Sequence, residues 1–492
     1  VLGAVLAALL VCAALSVAYQ ADHAAASFIG GDWSEGPLLL ELHRMETGGP
    51  PYTPPAAVNA YDYGPVYVVV LNALRAVAGL HANVATFRLL TIALGLFAAL
   101  PLGYAAAAVA RRAGIYGQGA AFVSAAVGAV SGVAVLSHNV TFARLHPDNV
   151  AFVLVAAAIA LHFGIAARML GARFAWGIVA FGLAATFTKQ NCGAVAPLLL
   201  AGLACAGAIS PRTLAATVAA YALLVAAAIT AMPADMRAWT VLIPLAHRYE
   251  FTADKFAGGI VTLTRSEPYL GATILIAVAM AFVLRARAGA RTLWSDVAAL
   301  TAIASASLSA YFKELGIHND LTLLAAATVP YAGAAAGALF ASARAGSRRA
   351  ATAFLALGTA IVLSLQASPG VTRPTFTNRD QRNVERTSAL AAELCARGHT
   401  ILVDAPLEEF FSCPTARFAL GASFTELRLA YPRYQAGPTV FSEAPDTDYI
   451  VAPEEPEPPA AWLGRYHPIL PSILQTTRDL GSLHVDVLAR NG

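Results

Sequence analysis

The sequence predicts a mainly α-helical, polytopic membrane protein that ends in a small α/β domain. Three observations predict it. Of 492 residues, 58% are hydrophobic and only 12% are charged, about half the charge of an ordinary soluble domain. Apolar runs of ~17–25 residues, long enough to cross a bilayer, recur from the start of the chain to about residue 367. From residue 368 the composition turns polar and Pro-rich. The expected division is therefore a membrane-embedded part, 1–367, and a domain of 368–492 large enough to fold alone. The net charge of +3 says little by itself, and no nucleic acid is expected as a partner.

Residues 1–19 are apolar and lack a convincing small-residue cleavage site, so they are expected as a first span rather than a cleaved leader. A long first loop, 20–87, follows. Inside it, the apolar stretch from Pro65 to about Leu80 is short for a crossing and is expected to lie along the interface. Further spans are expected at 88–110, 119–137, 150–168, 174–190, 192–209, 213–232, 269–286, 296–312, 320–342 and 350–367, about eleven in all. This count puts Arg111 and Arg112, Arg168 and Arg173, Arg212, Arg285, Arg287 and Arg291, and Arg344, Arg348 and Arg349 on one side. By the positive-inside rule that side is cytoplasmic and the tail lies outside. If the Pro65 segment crossed, every basic cluster would be external.

In the tail, strand-like runs are expected at Ile401-Leu402-Val403-Asp404, Asp448-Tyr449-Ile450-Val451 and Leu483-His484-Val485-Asp486-Val487, with a helix at about 382–397 and an acidic Pro-rich loop from Glu454 to Pro459. Cys12, Cys192 and Cys205 fall in apolar segments as packing residues. Cys395 and Cys413 can pair if the tail is extracytoplasmic. There is no visible internal repeat and no Gly-rich nucleotide loop.

The outer connections carry the chemically varied residues. Asp32 and Glu35 stand three apart beside Gly and Pro at a membrane edge, where an acid is costly without a partner or a task. Such a pair can divide labour as base and orienting group, although solvated loop acids would look the same. Tyr61-Asp62-Tyr63-Gly64-Pro65 combines a turn with interfacial aromatics able to stack on a sugar, or simply belongs to an aromatic belt. Arg144, His146 and Asp148 open the fourth span, and Asp148 suits a helix N-terminus whatever the function. Lys189 and Gln190 end an otherwise uncharged span. Lys313, His318 and Asn319 lie in a further outer connection, which Asp320 closes. Acids in one loop and cations in three others suit a departing phosphate that needs cations and an acceptor hydroxyl that needs a base.

These stretches resemble the GT-C type of membrane glycosyltransferases, which includes the protein O-mannosyltransferases, the aminoarabinose transferase of lipid A and a bacterial branch with no settled substrate. Ser34-Glu35-Gly36-Pro37 followed by Gly48-Gly49-Pro50-Pro51-Tyr52 is similar to the acidic first-loop motif of that branch and the element after it. Tyr61 to Tyr67 resembles its Tyr-x-Tyr-Pro-Pro-Leu-Tyr motif, with Gly64 for the first Pro. His146-Pro147-Asp148 resembles an Arg-Pro-Asp element, Thr188-Lys189-Gln190 a Thr-Lys-Gln element, and Lys313, Gly316 and Asn319 a Lys-x-Gly-x-x-x-Asn loop. The resemblance covers 1–367 in order and the tail more loosely.

It implies a polyprenyl-phosphate sugar donor and a catalytic first-loop acid. Glu35 takes that position, with Asp32 as the near alternative. Ser34 stands where many relatives carry Asp, so metal use stays open, with Asp32, Glu35 and Asp148 as candidate ligands. Lys189, Gln190, Arg144, His146 and Lys313 are expected to bind the donor phosphate. Asp62, Tyr61, Tyr63, Asp148, His318 and Asn319 are further site candidates. The expected reaction moves a monosaccharide from a polyprenyl phosphate to an extracytoplasmic glycan, lipid or protein by inverting displacement, at the plasma membrane of a bacterium. A lipid-linked sugar flippase or transporter is the alternative; it would favour mid-membrane charges and repeated halves.

Overall fold

The computed structural model describes residues 2–25, nearly all of 35–347, and parts of 392–403, 410–430, 446–453, 465–468 and 485–490. The expected boundary at 368, the span at 350–367, most of the helix at 382–397 and the loop from Glu454 to Pro459 lie outside the described residues.

The order begins with α1 (Leu2–Ala25), then α2 (Glu35–Glu46) and α3 (Pro65–Val77) in the first loop. The main bundle follows as α4 (Val84–Leu96), α5 (Ala99–Arg112), α6 (Gln118–His138), α7 (Asp148–Ala166), α8 (Ala175–Thr186), α9 (Val195–Cys205) and α10 (Pro211–Ala231). Two short helices, α11 (Ala234–Arg237) and α12 (Ile243–Ala246), lead to α13 (Ala253–Val261). Among the described residues the order continues with α14 (Pro268–Ala288), α15 (Ala290–Tyr311) and α16 (Leu324–Arg344). Among the described residues, six helical segments are long and apolar enough to cross a membrane: Val84–Arg112, Gln118–Ser137, Asp148–Ala166, Pro211–Ala231, Leu293–Tyr311 and Asp320–Arg344. A bent pair, Ala253–Arg265 with Pro268–Val283, adds a seventh if it counts as one span. The helices at 172–186 and 190–205 are shorter.

Helix starts follow local chemistry. Asn83 accepts from the Thr86 amide at 2.8 Å and caps α4, and Ser210 caps α10 ahead of Pro211. Pro65 occupies the first turn of α3, where its missing N–H costs nothing. At 13 residues α3 is shorter than the ~20 a crossing needs. The helices α5, α6 and α16 approach closely along Ala106, Gly128 and Gly333, as small residues allow in lipid.

Arg112, read from sequence as a marker of the cytoplasmic side, is also a buried anchor. It grips Asp296 on α15 at 2.8 and 3.0 Å, and Tyr331 on α16 donates to the same carboxylate at 2.7 Å.

The tail forms a five-stranded sheet from β1 (Ile401–Val403), β2 (Ala416–Phe418), β3 (Tyr449–Pro453), β4 (Tyr466–Pro468) and β5 (Val485–Arg490), in the order β2-β1-β3-β5-β4. The strand β1 is parallel to β2 and β3, whereas β5 is antiparallel to β3 and β4. Of these, β2 and β4 were not expected from the sequence. Alternation of side chains sends Ile401, Val403 and Val451 into a core with Leu394, Phe410 and Cys413. It sends Leu402 and Ile450 the other way, into a core shared with Tyr52 and Val58 of the first loop and with Trp239 and Ile243. The sheet thus packs on the loops that build the site. Cys395 and Cys413 form a disulfide across 18 residues. Cys192 is buried, Cys12 half-buried and Cys205 exposed.

Candidate active site

A cavity of about 420 Å³ opens at the end of the bundle where α6 ends and α7 begins. The connections read from sequence as external converge on it. Tyr61, Asp62 and Tyr63 come from the first loop, Arg144 and His146 from the turn before α7, and Lys189 and Gln190 from the turn between α8 and α9. Lys313 comes from the loop after α15. The lining also includes the apolar side chains of Val225, Ile229, Pro244 and Leu245.

The first-loop motif is seated by backbone pairing. Val66 donates to the Phe187 carbonyl at 3.0 Å and Gly64 to the Thr188 carbonyl at 3.2 Å. A Cβ on Gly64 would stand 2.0 Å from the Phe187 oxygen, so a residue without a side chain is required there. The Gln190 amide donates to the Asp62 and Thr240 carbonyls. This contact ties the first loop to the segment before α12. Tyr52 donates to the Tyr63 carbonyl at 2.8 Å.

Around this frame the charges are arranged in chains. Lys189 Nζ lies 2.6 Å from both Asp148 Oδ1 and Asp320 Oδ1, all three groups being buried. His146 Nδ1 faces Asp148 Oδ2 at 3.1 Å, and His146 Nε2 is 2.6 Å from the Tyr63 hydroxyl. Lys313 donates to Asp62 at 2.8 Å and is the most open of these cations, with its side chain 27% exposed. Burial works against the Lys313 charge, yet Asp62 and Glu426 hold its pKa above the ordinary value. The loop bearing Lys313 is itself pinned by Lys255 on α13, which donates to the carbonyls of Tyr311, Lys313 and Gly316.

Glu426 was not foreseen, because nothing near it in sequence marks it. It reaches the cavity from the tail, accepts from the Tyr61 hydroxyl at 3.2 Å and lies 3.0 Å from His247 Nε2. Burial and then the Asp62 charge push the Glu426 carboxyl up, against the pull of His247 and Lys313. Asp62, His247 and Glu426 bring one ligand atom each within 4.8 Å of one another and are all buried. Their nitrogen and oxygen donors fit a borderline or hard divalent ion.

Two residues singled out from the sequence are engaged by other groups here. Glu35 does not line the cavity. Its oxygens take Arg88 at 2.8 and 2.6 Å and the Leu145 amide at 2.7 Å, in a site with no exposure of Glu35 at all. Both oxygens of this carboxylate are engaged within the protein. Arg88 was missed because it lies inside an apolar run that reads as plain span. Asp148 is likewise engaged, by His146, Thr141 and Lys189. Lys189 lines the cavity with its charge balanced by two carboxylates, and Arg144 and the Asp62-paired Lys313 line it as well. Asp32 lies outside the described residues. His318 and Asn319 begin the 3-10 turn His318–Leu323, and their side chains are outside the description.

No family model matches this chain, and no curated protein matches it significantly. Solved structures do. The chain is similar to ArnT from Cupriavidus metallidurans in the apo state, with 12% identity, 98% of this chain and 97% of that chain covered, and a TM-score of 0.51. It is similar to the archaeal oligosaccharyltransferase AglB from Archaeoglobus fulgidus in complex with an inhibitory peptide and a dolichol-phosphate, with 11% identity, 91% and 69% coverage, and a TM-score of 0.51. The apo form of the Archaeoglobus fulgidus oligosaccharyltransferase matches over the same shares at 11% identity and a TM-score of 0.50. The fold is therefore the polytopic GT-C type.

Proposed function

We propose that this chain is a membrane glycosyltransferase that moves a monosaccharide from a polyprenyl-phosphate donor to an extracytoplasmic acceptor. One observation carries the reading. The cavity lining combines the cations Lys313 and Arg144 with the apolar side chains of Val225, Ile229 and Leu245. The helix bearing Val225 and Ile229 is only 11% buried over its apolar window, so in a membrane it faces lipid. A phosphate carried on an isoprenoid chain has that same division. The shared fold and the dolichol-phosphate bound by the archaeal relative support it.

In the reaction, an acceptor hydroxyl attacks the anomeric carbon from the side opposite the phosphate, and the configuration inverts. Lys313 and Arg144 offset the charge that builds on the phosphate as the bond breaks, in a half-closed site where such pairing counts for more than in water. Lys189 acts at one remove, by fixing Asp148 and Asp320. With Glu35 committed to Arg88, we assign the base to Asp32, the remaining acid of that motif. Asp62, His247 and Glu426 would hold a divalent ion, which would supply further positive charge toward a phosphate. The tail helps to shape the site through Glu426.

The experiment is transfer from a panel of radiolabelled polyprenyl-phosphate sugars in membranes expressing this chain, against Asp32→Asn. Label passing to a product only with the unaltered protein establishes the enzyme and its donor. Movement of the lipid to the opposite leaflet, with no transfer from any donor, would replace this reading with a flippase.

A further inference from the structure

We infer that a second cavity, between α2 and the edge of the tail sheet, binds a carboxylate or phosphate carried by a sugar of the acceptor, through Arg44 and Arg417. The inference rests on the transferase reading above and gives its acceptor a chemical character.

This cavity holds about 330 Å³. The helix α2 supplies Leu40 and Arg44, the first loop Asn59, and the tail Leu402, Arg417 and Phe418. Among the described residues, none of those lining it belongs to a helix long enough to cross a membrane. The tail is tied down beside it. The Asn59 amide donates to the Phe418 carbonyl at 3.2 Å, and the Leu420 amide to the Val58 carbonyl at 2.8 Å.

Sheet register decides where Arg417 points. In the parallel pair of β1 and the edge strand β2, Arg417 stands opposite Leu402, so the two side chains share a face. Leu402 joins the core that includes Tyr52 and Val58 of the first loop. Arg417 therefore lies on the face turned to that loop, where it remains exposed and lines the cavity.

Arg44 comes from the other side. Its Nε donates to the Leu40 carbonyl at 3.2 Å, Nη1 to Asn59 Oδ1 at 3.5 Å, and Nη2 to the Asn59 carbonyl. These acceptors are neutral and take three of the five N–H groups of a guanidinium. The acids near it in sequence are turned elsewhere. Glu41 accepts from the Tyr61 amide at 2.8 Å, and Glu46 pairs with Arg75 at 3.1 Å. Among the described residues, neither arginine forms an ion pair and the lining carries no acid. Burial lowers the Arg44 pKa to about 10, and Glu41 offsets this only in part.

Two guanidinium groups at one cavity with no acid between them repel each other, and an oxyanion between them removes that cost. Their planar forks match a carboxylate or phosphate through paired hydrogen bonds. A position in the last turn of α2 accounts for a basic residue at Arg44, but not for Arg417 on the inner face of the sheet. Leu40, Leu402 and Phe418 add the apolar surface that a small ring-shaped ligand needs. A lipid headgroup fits less well, because no crossing helix lines the cavity.

The two cavities are neighbours. Asn59 lines this one and Tyr61 the active-site cavity, and two residues of chain reach at most ~7 Å. The tail likewise gives Arg417 to one and Glu426 to the other. An acceptor glycan with its acidic sugar between Arg44 and Arg417 therefore holds the next sugar close to the site of transfer.

The test uses the full chain in nanodiscs of phosphatidylcholine, with a disaccharide of glucuronic acid as probe and the matching glucose disaccharide as control, both titrated by NMR. The acidic probe should bind about tenfold or more tightly than the neutral one. Arg417→Gln leaves the packing of the sheet untouched and should abolish that difference. Arg417→Lys should keep part of it, since a point charge replaces a fork. Arg44→Gln should act in the same direction as Arg417→Gln. In transfer to an acidic acceptor, Arg417→Gln should raise the acceptor KM about tenfold and leave kcat within roughly threefold. Equal binding of the two probes, or an acidic probe held as tightly by Arg417→Gln, would overturn the subsite. Arg417-dependent binding of phosphatidylglycerol, with no binding of the acidic disaccharide, would replace the sugar by a lipid headgroup. Absence of transfer from every polyprenyl-phosphate sugar, with Arg417-dependent binding intact, would overturn the transferase reading and the acceptor role with it, while the anion subsite stands.

Discussion

Glu35 and Arg88, 53 residues apart in sequence, form a buried two-point ion pair with contacts of 2.6 and 2.8 Å. The pair ties the first turn of α2 to α4, and the Leu145 amide on Glu35 ties both to the start of α7. The acid that looks most catalytic in the sequence is thus the pin that holds the first loop on the bundle.

Removing one member leaves the other buried and unbalanced, so Glu35→Gln and Arg88→Met should each cost about 3–5 kcal/mol. The double apolar variant Glu35→Leu with Arg88→Met should recover much of that. Thermal unfolding in nanodiscs reads the effect. A Glu35→Gln protein as stable as the original but without transfer would return Glu35 to the chemistry.

Lys313 and Lys189 should behave differently although both line the cavity. Lys313→Ala removes a partly open cation and should weaken undecaprenyl phosphate binding about tenfold or more, as loss of a charged hydrogen bond does. Lys189→Ala strands Asp148 and Asp320 together and should show first as lost stability. Binding and unfolding measured on the same samples separate the two.

Gly64→Ala puts a methyl group 2.0 Å from the Phe187 carbonyl oxygen. Either that backbone pairing opens or the loop shifts, at a cost of about 1–3 kcal/mol. Hydrogen exchange at the Val66 amide should quicken, and transfer should fall because Asp62 and Tyr63 move with the loop. Unchanged exchange would refute this placement of the motif.

Glu41 on α2 accepts from the Tyr61 amide at 2.8 Å and is 1% exposed. Burial pushes its pKa up to about 8, against the pull of the Tyr61 amide and Arg44. The folded state therefore holds a proton that the unfolded chain releases near the ordinary value of 4.5. The resulting stability is full below the unfolded pKa and is lost as pH rises through the folded one. Glu41→Gln keeps the acceptor and removes the titration. Its melting temperature should fall less than that of the original protein between about pH 5 and pH 8.

The disulfide between Cys395 and Cys413 closes a loop beside the buried core of the sheet. Cys395→Ser should lower the stability of the tail by about 2–4 kcal/mol. Limited proteolysis of the tail, with and without reductant, checks this.

Much of the helical architecture was legible because a bilayer imposes length and apolarity on each span, and both can be counted along the chain. The expected connections do supply the cavity: Tyr61, Asp62, Tyr63, Arg144, His146, Lys189, Gln190 and Lys313 all line it. The short strands β2 and β4, three residues each, were beyond reach because so few residues carry no usable alternation. Glu426 and His247 were missed because their meaning lies in each other, and 179 residues separate them.

Composition and residue type were enough to establish a polytopic membrane protein with reactive groups gathered in a few of its connections. Hydropathy is a property of each segment alone, so it survives without coordinates. Which acid is free and which is spent is not such a property. Glu35 is taken by Arg88, Lys189 by two carboxylates, and Asp148 by a lysine, a histidine and a threonine. A charge in a buried site is defined by the partners that packing brings within 3 Å or so, and those partners come from distant parts of the chain that only the folded structure brings together.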